Sequence, residues 1–190
     1  MGEGKGRLLG SVAGGVLSLA AALLPSAPAA EGPGPGDVKA AFVLNFMKFV
    51  EWPASAFQSS EAPFVLAVLG HDPIAASFSS LDGKTVAGRR VVVRRVPALS
   101  ELEACHVLFV GASEKEQLGS VLHKVQGWPT LTVADFEGFA GRGGIIGFTR
   151  RDERVGFEIN EESARKAGVA VSAKLLYLGT SVRGGRGGER

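Results

Sequence analysis

The apolar residues of this chain form two kinds of pattern, short continuous runs and longer stretches with helical spacing. The continuous run at 64–69 is typical of a strand that is covered on both faces of a sheet, and 106–110 and 130–133 are further predicted strands. Helical spacing between these runs predicts a short helix at 74–81 and a longer one at 113–126. Strands and helices therefore alternate along the middle of the chain.

Two weaker signals lie in the same region. Three consecutive valines at 91–93 stand between pairs of arginines and predict another strand. Ser100 and Glu103 have the spacing of a capping box, as do Ser113 and Glu116. The first box predicts a brief helix before the strand at 106–110, and the second predicts that the longer helix begins at Ser113.

The C-terminal part of the chain predicts a different arrangement. Two β runs at 143–148 and 155–159 are joined by charged residues, which is typical of a hairpin. Asn160 is a suitable N-cap for a helix that ends at Gly168, and a last helix follows at 172–182. The predicted fold class is therefore α/β, a single domain with a mixed, mostly parallel sheet flanked by helices and a C-terminal β-hairpin and helices.

The N-terminal segment has the composition of an export signal. Lys5 and Arg7 precede an apolar run at 8–24, and small residues at 27–30 form a cleavage site. A retained membrane anchor is the alternative, since the run approaches the roughly 18 apolar residues of a spanning helix. Glycines within the run favour cleavage, so we expect a signal peptide at 1–30, a periplasmic product and no stable membrane insertion.

The first helix of the expected mature chain is apolar on nearly every side. A Gly/Pro linker at 31–36 precedes it, Asp37 is a suitable N-cap, and Pro53 predicts that it ends at or near Trp52. Core packing explains most of the apolar residues. A partner-binding face is the alternative, with Phe49 and Trp52 as anchors. Asn45 and Lys48 lie beside that face.

Charge and cysteine content narrow the function classes. The net charge is +2, and the Gly/Arg tail at 183–190 lacks the aromatic residues of a strand-binding patch, so we expect a disordered tail and no nucleic-acid partner. Cys105 is the single cysteine and excludes an internal disulfide. It is expected to be a buried, inert thiol or, alternatively, a redox site that forms a disulfide between subunits.

No constellation for catalysis is present. The chain lacks a nucleophile elbow, a Walker loop, H-E-x-x-H and C-x-x-C, and its three histidines are far apart, so we predict no enzyme, metal site or cofactor. Polar residues do follow three predicted parallel strands, where small molecules bind in open α/β sheets. These candidate ligand-binding residues, which ordinary turn chemistry explains equally well, are His71, Asp72, Ser113 and Asp135.

Seven segments in order along the chain resemble the YfiR-like family of bacterial periplasmic proteins. No single segment is diagnostic, but the ordered set is specific and spans a domain at 37–182. The segments lie at 49–53, 65–70, 105–110, 129–133, 144–148, 155–160 and 172–176.

This resemblance implies a non-enzymatic regulator whose partner is an inner-membrane sensor protein, a diguanylate cyclase or a kinase. Family members of the YfiR type bind and inhibit an inner-membrane diguanylate cyclase, so that their release raises cyclic di-GMP and promotes biofilm formation, and they form homodimers. In the type member, disulfides connect redox state to repression. Cys105 matches one family cysteine, but Ala67 occupies the position of its partner and a second pair has no counterpart at 136–148. This departure argues against redox control by internal disulfides.

Three further residues in the matching segments are candidate partner contacts. Glu158 and Asn160 end the second strand of the hairpin, and Lys174 lies in the last helix. A capping role for Asn160 and an ordinary strand position for Glu158 are the alternatives, and Lys174 could pair with Glu158 or stay solvated.

Overall fold

The computed structural model of the protein describes residues 34–151 and 154–182. The predicted signal peptide at 1–30, residues 31–33 of the predicted linker, the hairpin turn at 152–153 and the tail at 183–190 lie outside these residues and stay predictions. No helix in the described part of the chain is both long and apolar enough to cross a membrane.

The described residues form an α/β domain, as the sequence predicts. Its helices are α1 (Pro35–Phe49), α2 (Ala75–Phe78), α3 (Leu118–Lys124), α4 (Glu161–Lys166) and α5 (Ala173–Leu178). Its strands are β1 (Val50–Glu51), β2 (Phe64–Leu69), β3 (Thr85–Val86), β4 (Arg89–Val96), β5 (Val107–Val110), β6 (Leu131–Ala134), β7 (Ile146–Arg151), β8 (Arg154–Ile159), β9 (Ala170–Val171) and β10 (Thr180–Ser181).

The main sheet has eight strands in the order β10-β8-β7-β6-β5-β2-β4-β3. Strands β4, β2, β5, β6 and β7 run parallel to one another, whereas β8 pairs antiparallel with β7 and β3 pairs antiparallel with β4. The mixed, mostly parallel sheet and the C-terminal hairpin of β7 and β8 are therefore confirmed. A separate ladder joins β1 to β9.

The central strands are covered on both faces, which explains their continuous apolar runs. Alternate side chains of β2 point to opposite faces, so Leu66 and Val68 pack with α1 and α2, while Ala67 and Leu69 pack with α3. Two hydrophobic cores result, one on each face of the sheet. The face that carries α1 and α5 holds the larger one.

Helix α1 differs from the prediction at both ends. Gly34 is the N-cap and Asp37 lies at the third helical position, where its Oδ2 accepts the Gly34 N–H at 3.1 Å. The helix ends at Phe49 instead of near Trp52. Val50 and Glu51 instead pair with β9, and a distant strand pairing of this kind leaves no local signal.

Other element boundaries also differ from the sequence expectation. The capping box at Ser100 gives one 3-10 turn, Leu99–Glu101, and the one at Ser113 gives another, Ala112–Glu114, before α3 begins. The strand predicted at 91–93 extends over the whole of β4. The last helix ends at Leu178, because Thr180 and Ser181 pair with β8.

Candidate functional site

The outer side of α1 presents a mixed polar and apolar stripe. Its inner side is fully buried, with Ala40, Val43, Phe46 and Met47 in the core. The stripe on the other side follows helical spacing and consists of Val38, Ala41, Asn45 and Lys48. Lys48 Nζ donates to Asn45 Oδ1 at 3.4 Å, one helical turn away. Two of the predicted partner contacts therefore lie together and are exposed.

Helix α5 continues this exposed region. Ser172 caps the helix by accepting the Leu175 N–H at 3.3 Å, and Leu175 is buried. Lys174, Tyr177 and Leu178 share one side of the helix, since they are three and four residues apart. Tyr177 is 89% exposed and Leu178 is 60% exposed. Among the described residues, no other large hydrophobic side chains are classed as exposed.

One side chain contact connects the two helices. Lys174 Nζ lies over the ring of Phe49, 5.0 Å from its centroid. Phe49 itself is half-buried and packs against the core. The exposed residues of α1 and α5 thus form one region, which we call the α1–α5 surface and define as Val38, Ala41, Asn45, Lys48, Phe49, Lys174, Tyr177 and Leu178.

Aromatic packing holds α1 firmly beneath this surface. The Phe46 ring lies 4.9 Å from Phe157 and 5.8 Å from Phe148, both in the hairpin. Phe42 packs against the same two rings at 5.9 and 6.1 Å. Such edge-on and tilted pairs add to the energy of area burial. We therefore expect the α1–α5 surface to keep its shape when a partner binds.

The remaining predicted partner contacts lie elsewhere. Trp52 is half-buried, and its Nε1 donates to the His106 carbonyl at 3.2 Å. Asn160 is completely buried, with Oδ1 accepting the Ser163 N–H at 3.0 Å and Nδ2 donating to the Ala140 carbonyl at 2.8 Å. Asn160 is thus an N-cap with no exposed atom. Glu158 is half-buried and lines a crevice described below.

Three of the four candidate ligand residues do meet at the carboxyl ends of β2 and β5. Ser113 Oγ lies 3.1 Å from Asp72 Oδ2, and the Ser113 N–H donates to the same oxygen at 3.2 Å. The His71 N–H donates to Ser113 Oγ at 3.3 Å. The Asp72 carboxylate, the Ser113 hydroxyl and the two backbone N–H groups are therefore hydrogen-bond partners of one another. Asp135 is separate from them.

Asp135 lies at the end of β6, where it forms an ion pair with Lys39 of α1 at 2.5 Å. The pair borders a crevice of about 580 Å³ between the loop after β6 and the hairpin. Phe148 and Val155 give this crevice an apolar side, while Arg150, Glu137 and Glu158 give it charges of both signs. Its size falls within the range of small-molecule sites.

A second cavity lies at the opposite, amino end of the strands and has a volume of about 530 Å³. Cys105 and His106 line it, together with residues of the segment 53–63 between β1 and β2. Burial raises the pKa of the Cys105 thiol to about 12, although hydrogen bonds with Thr130 and Ala67 act in the other direction. The thiol is therefore protonated at physiological pH and is a weak nucleophile.

Sequence reasoning missed His106 and Tyr177. His106 begins a predicted strand, where a histidine carries no local signal of its contacts. Tyr177 shares the helical spacing of Lys174, and this spacing was the available cue to a common exposed side. No group of three His, Cys, Asp or Glu side chains in the described ranges could hold a metal ion.

Comparison with known proteins assigns this chain a family. The model of a family described as YfiR/HmsC-like matches residues 36–180, which include every described helix except the first residue of α1. No curated protein matches the chain.

Proposed function

Because the chain belongs to the YfiR/HmsC-like family, we propose that it is a non-enzymatic, periplasmic regulator of cyclic di-GMP signalling. Its mechanism is to bind the periplasmic portion of an inner-membrane diguanylate cyclase and hold the enzyme inactive. Loss of the protein then raises cyclic di-GMP and promotes biofilm formation. The expected signal peptide supports the location, and the family supports the regulatory role.

The α1–α5 surface is the proposed contact with the cyclase, and the exposure of Tyr177 is the observation that carries this assignment. Tyrosine is enriched at interface hot spots, because it buries a large area with little loss of conformational entropy. Leu178 adds an adjacent apolar contact, 60% exposed. A side chain of this size that stays 89% exposed gains little from the fold of its own chain.

The charges on this surface indicate the chemistry of the partner. Lys174 lies over the Phe49 ring and Lys48 is exposed beside Asn45, and in the described residues neither lysine forms an ion pair with a carboxylate. A partner that offers an apolar patch bordered by acidic residues complements this arrangement. We expect the sensor portion of the cyclase to have such a patch.

Deletion of the gene tests the regulatory role. Cellular cyclic di-GMP is expected to rise several-fold, and re-expression of the wild-type protein is expected to restore it. If the deletion leaves cyclic di-GMP unchanged, the proposal fails. The strain that re-expresses the protein tests the homodimer that the family implies, because cross-linked periplasmic protein should then contain a species of twice the monomer mass.

Variants then test the surface. Tyr177→Ser with Leu178→Ser should fail to repress in the deletion strain and should bind the cyclase sensor portion at least about ten-fold more weakly. Lys174→Glu should weaken binding, whereas Lys124→Glu is the matched control, because Lys124 is exposed on α3 at the other face of the sheet. Unchanged repression by the double variant would contradict the surface assignment while leaving the regulatory role intact.

The crevice beside Asp135 favours a second candidate function, a small-molecule binding protein. Its volume of about 580 Å³, apolar side and charges of both signs suit a small zwitterionic metabolite. Thermal denaturation against a metabolite panel tests this function, since a ligand that binds the native state raises the melting temperature. An Asp135→Asn variant should lose any such shift.

A further inference from the structure

Both ring nitrogens of His106 bind backbone groups. Nδ1 accepts the Val65 N–H at 3.0 Å, and Nε2 lies 3.0 Å from the Ala56 carbonyl. A carbonyl only accepts, so Nε2 carries the proton and Nδ1 carries the lone pair. The arrangement therefore requires the neutral ring. A second proton on Nδ1 would point at the Val65 N–H, which is itself a donor.

The ring fastens the segment 53–63 to the sheet. It stacks on Phe57 with centroids 4.4 Å apart and planes at 17°, and it meets the edge of Phe64 at 5.4 Å. The segment contains one short 3-10 turn, Ala54–Ala56, and most of its residues are exposed. Few buried contacts of its own hold it in place, which is typical of a region that opens locally.

Arg89 holds the outer end of the same segment. Its Nη1 donates to the carbonyls of Ser59 and Ala62 at 3.0 and 2.7 Å, and its guanidinium lies 3.8 Å from the Phe57 ring centroid. Phe57 is therefore placed between Arg89 and His106. A positive charge on the His106 ring would therefore add to the positive charge of the Arg89 guanidinium on the same aromatic ring.

The other charged or titratable groups in the described parts of the surrounding elements form no ion pair with the ring. They are Arg94 on β4, Glu51 in β1, Glu61 in the segment, Glu103 just before β5 and the neutral Cys105 thiol beside it. Glu103 is paired with Arg94 at 3.1 Å, and none of the ion pairs between described residues includes His106. Burial lowers the pKa of His106 below its ordinary value and Arg89 lowers it further, while the hydrogen bond with Ala56 acts in the opposite direction.

We propose that His106 is a proton-operated latch on the start of β2, next to the segment 53–63. At neutral pH the ring fastens the segment to the start of β2. On acidification Nδ1 takes a proton from solvent and the Val65 N–H loses its acceptor, so the start of β2 is released from the ring beside the cavity of about 530 Å³, while Nε2–H keeps its bond with the Ala56 carbonyl. This latch does not rest on the proposed cyclase contact, because the ring contacts Ala56, Phe57, Phe64 and Val65, none of which belongs to the α1–α5 surface.

Ring NMR and amide exchange of the purified protein test the latch together. At about pH 7.5, His106 is expected to be the Nε2-protonated tautomer, and the Val65 amide should be protected from exchange. As the pH is lowered through the folded pKa of His106, which lies below its ordinary value, both nitrogens should become protonated. Protection of Val65, corrected for intrinsic exchange, should then fall at least about ten-fold with the same midpoint. Amides of Val68 and Phe109 in the central strands should stay protected.

A matched pair of variants separates the latch from general acid effects. In His106→Gln the amide side chain can accept from Val65 and donate to Ala56 but cannot titrate, so protection should be independent of pH. His123→Gln removes an exposed histidine of α3 and should keep the wild-type response. A ring that titrates without loss of Val65 protection, or equal loss in His106→Gln, would overturn the proposal. If His106→Gln does not fold, the coincidence of the two wild-type midpoints decides.

Discussion

The two ends of the parallel strands use polar side chains in different ways. At the carboxyl end, Asp72 and Ser113 bind each other, and Ser113 is exposed. At the amino end, the half-buried His106 ring binds a backbone group on each side. Water can replace a lost hydrogen-bond partner at the exposed carboxyl end far more easily than at the half-buried amino end. The amino end should therefore contribute more stability per hydrogen bond, although the sequence predicted the candidate ligand-binding residues at the carboxyl end.

The largest expected effect comes from His106→Ala. This change leaves the Val65 N–H and the Ala56 carbonyl without their partners, and it removes the ring that stacks on Phe57. We expect a loss of about 2–4 kcal/mol in the free energy of unfolding, from the unsatisfied backbone groups and the lost packing. Urea denaturation measures it, and His123→Ala is the control. A loss no larger than that of the control would remove the proposed difference between the two ends.

Gly111→Ala tests whether close backbone packing, instead of hydrogen bonding by polar side chains, determines the structure at the carboxyl end of the strands. A Cβ at this position would collide with the Asp72 carboxylate, and it would lie 2.9 Å from the Leu69 carbonyl oxygen. The carboxylate can move but the backbone of β2 cannot, so we expect a loss of about 1–3 kcal/mol by urea denaturation. Gly119→Ala is the matched control, since a Cβ there meets nothing within 4 Å. Equal stability of the two variants would contradict this interpretation.

The change in stability with pH should be smaller than the losses in the His106→Ala and Gly111→Ala variants, because protonation removes only one of the two ring hydrogen bonds of His106. The folded pKa of His106 is lowered, mainly by burial, so the unfolded chain binds more protons at pH values between the two pKa values. Stability is therefore complete above the ordinary histidine pKa of about 6.5, decreases as the pH falls below it, and levels off below the folded pKa.

Urea denaturation at several pH values between about 7.5 and 5 measures this dependence. His106→Gln should flatten the part of the curve that His106 contributes, whereas His71→Gln should not, since His71 is exposed at the carboxyl end. A wild-type protein that becomes more stable on acidification through this range would contradict the sign.

The difference between the two ends also shows which features the sequence could predict. The strand at 64–69, the hairpin and the Asn160 cap were predicted because apolar runs, charged turns and caps are local signals. The predicted end of α1 was wrong, because the true end depends on the pairing of β1 with β9. The capping box at Ser100 gave a single 3-10 turn, since a local preference does not fix the length of a helix.

The candidate sites were less predictable for a related reason. Lys48 and Lys174 could be predicted as exposed polar residues, but the contact of Lys174 with Phe49 depends on how α5 docks. The role of His106 depends on two backbone groups, at Val65 and Ala56, that are distant in sequence. The positions of single residues follow from local pattern, whereas their partners follow from tertiary packing.

The smallest expected effect belongs to Ser113→Ala at the carboxyl end. The hydroxyl has one hydrogen but lies within 3.1 Å of both Asp72 Oδ2 and Glu114 Oε1, so it donates to one carboxylate at a time. Its loss leaves Asp72 with the Ser113 N–H, and water can reach the exposed His71 amide. We expect a change within about 0.5 kcal/mol by urea denaturation, as for most surface substitutions. A loss as large as that of His106→Ala would mean that the two ends are equally dependent on their polar side chains.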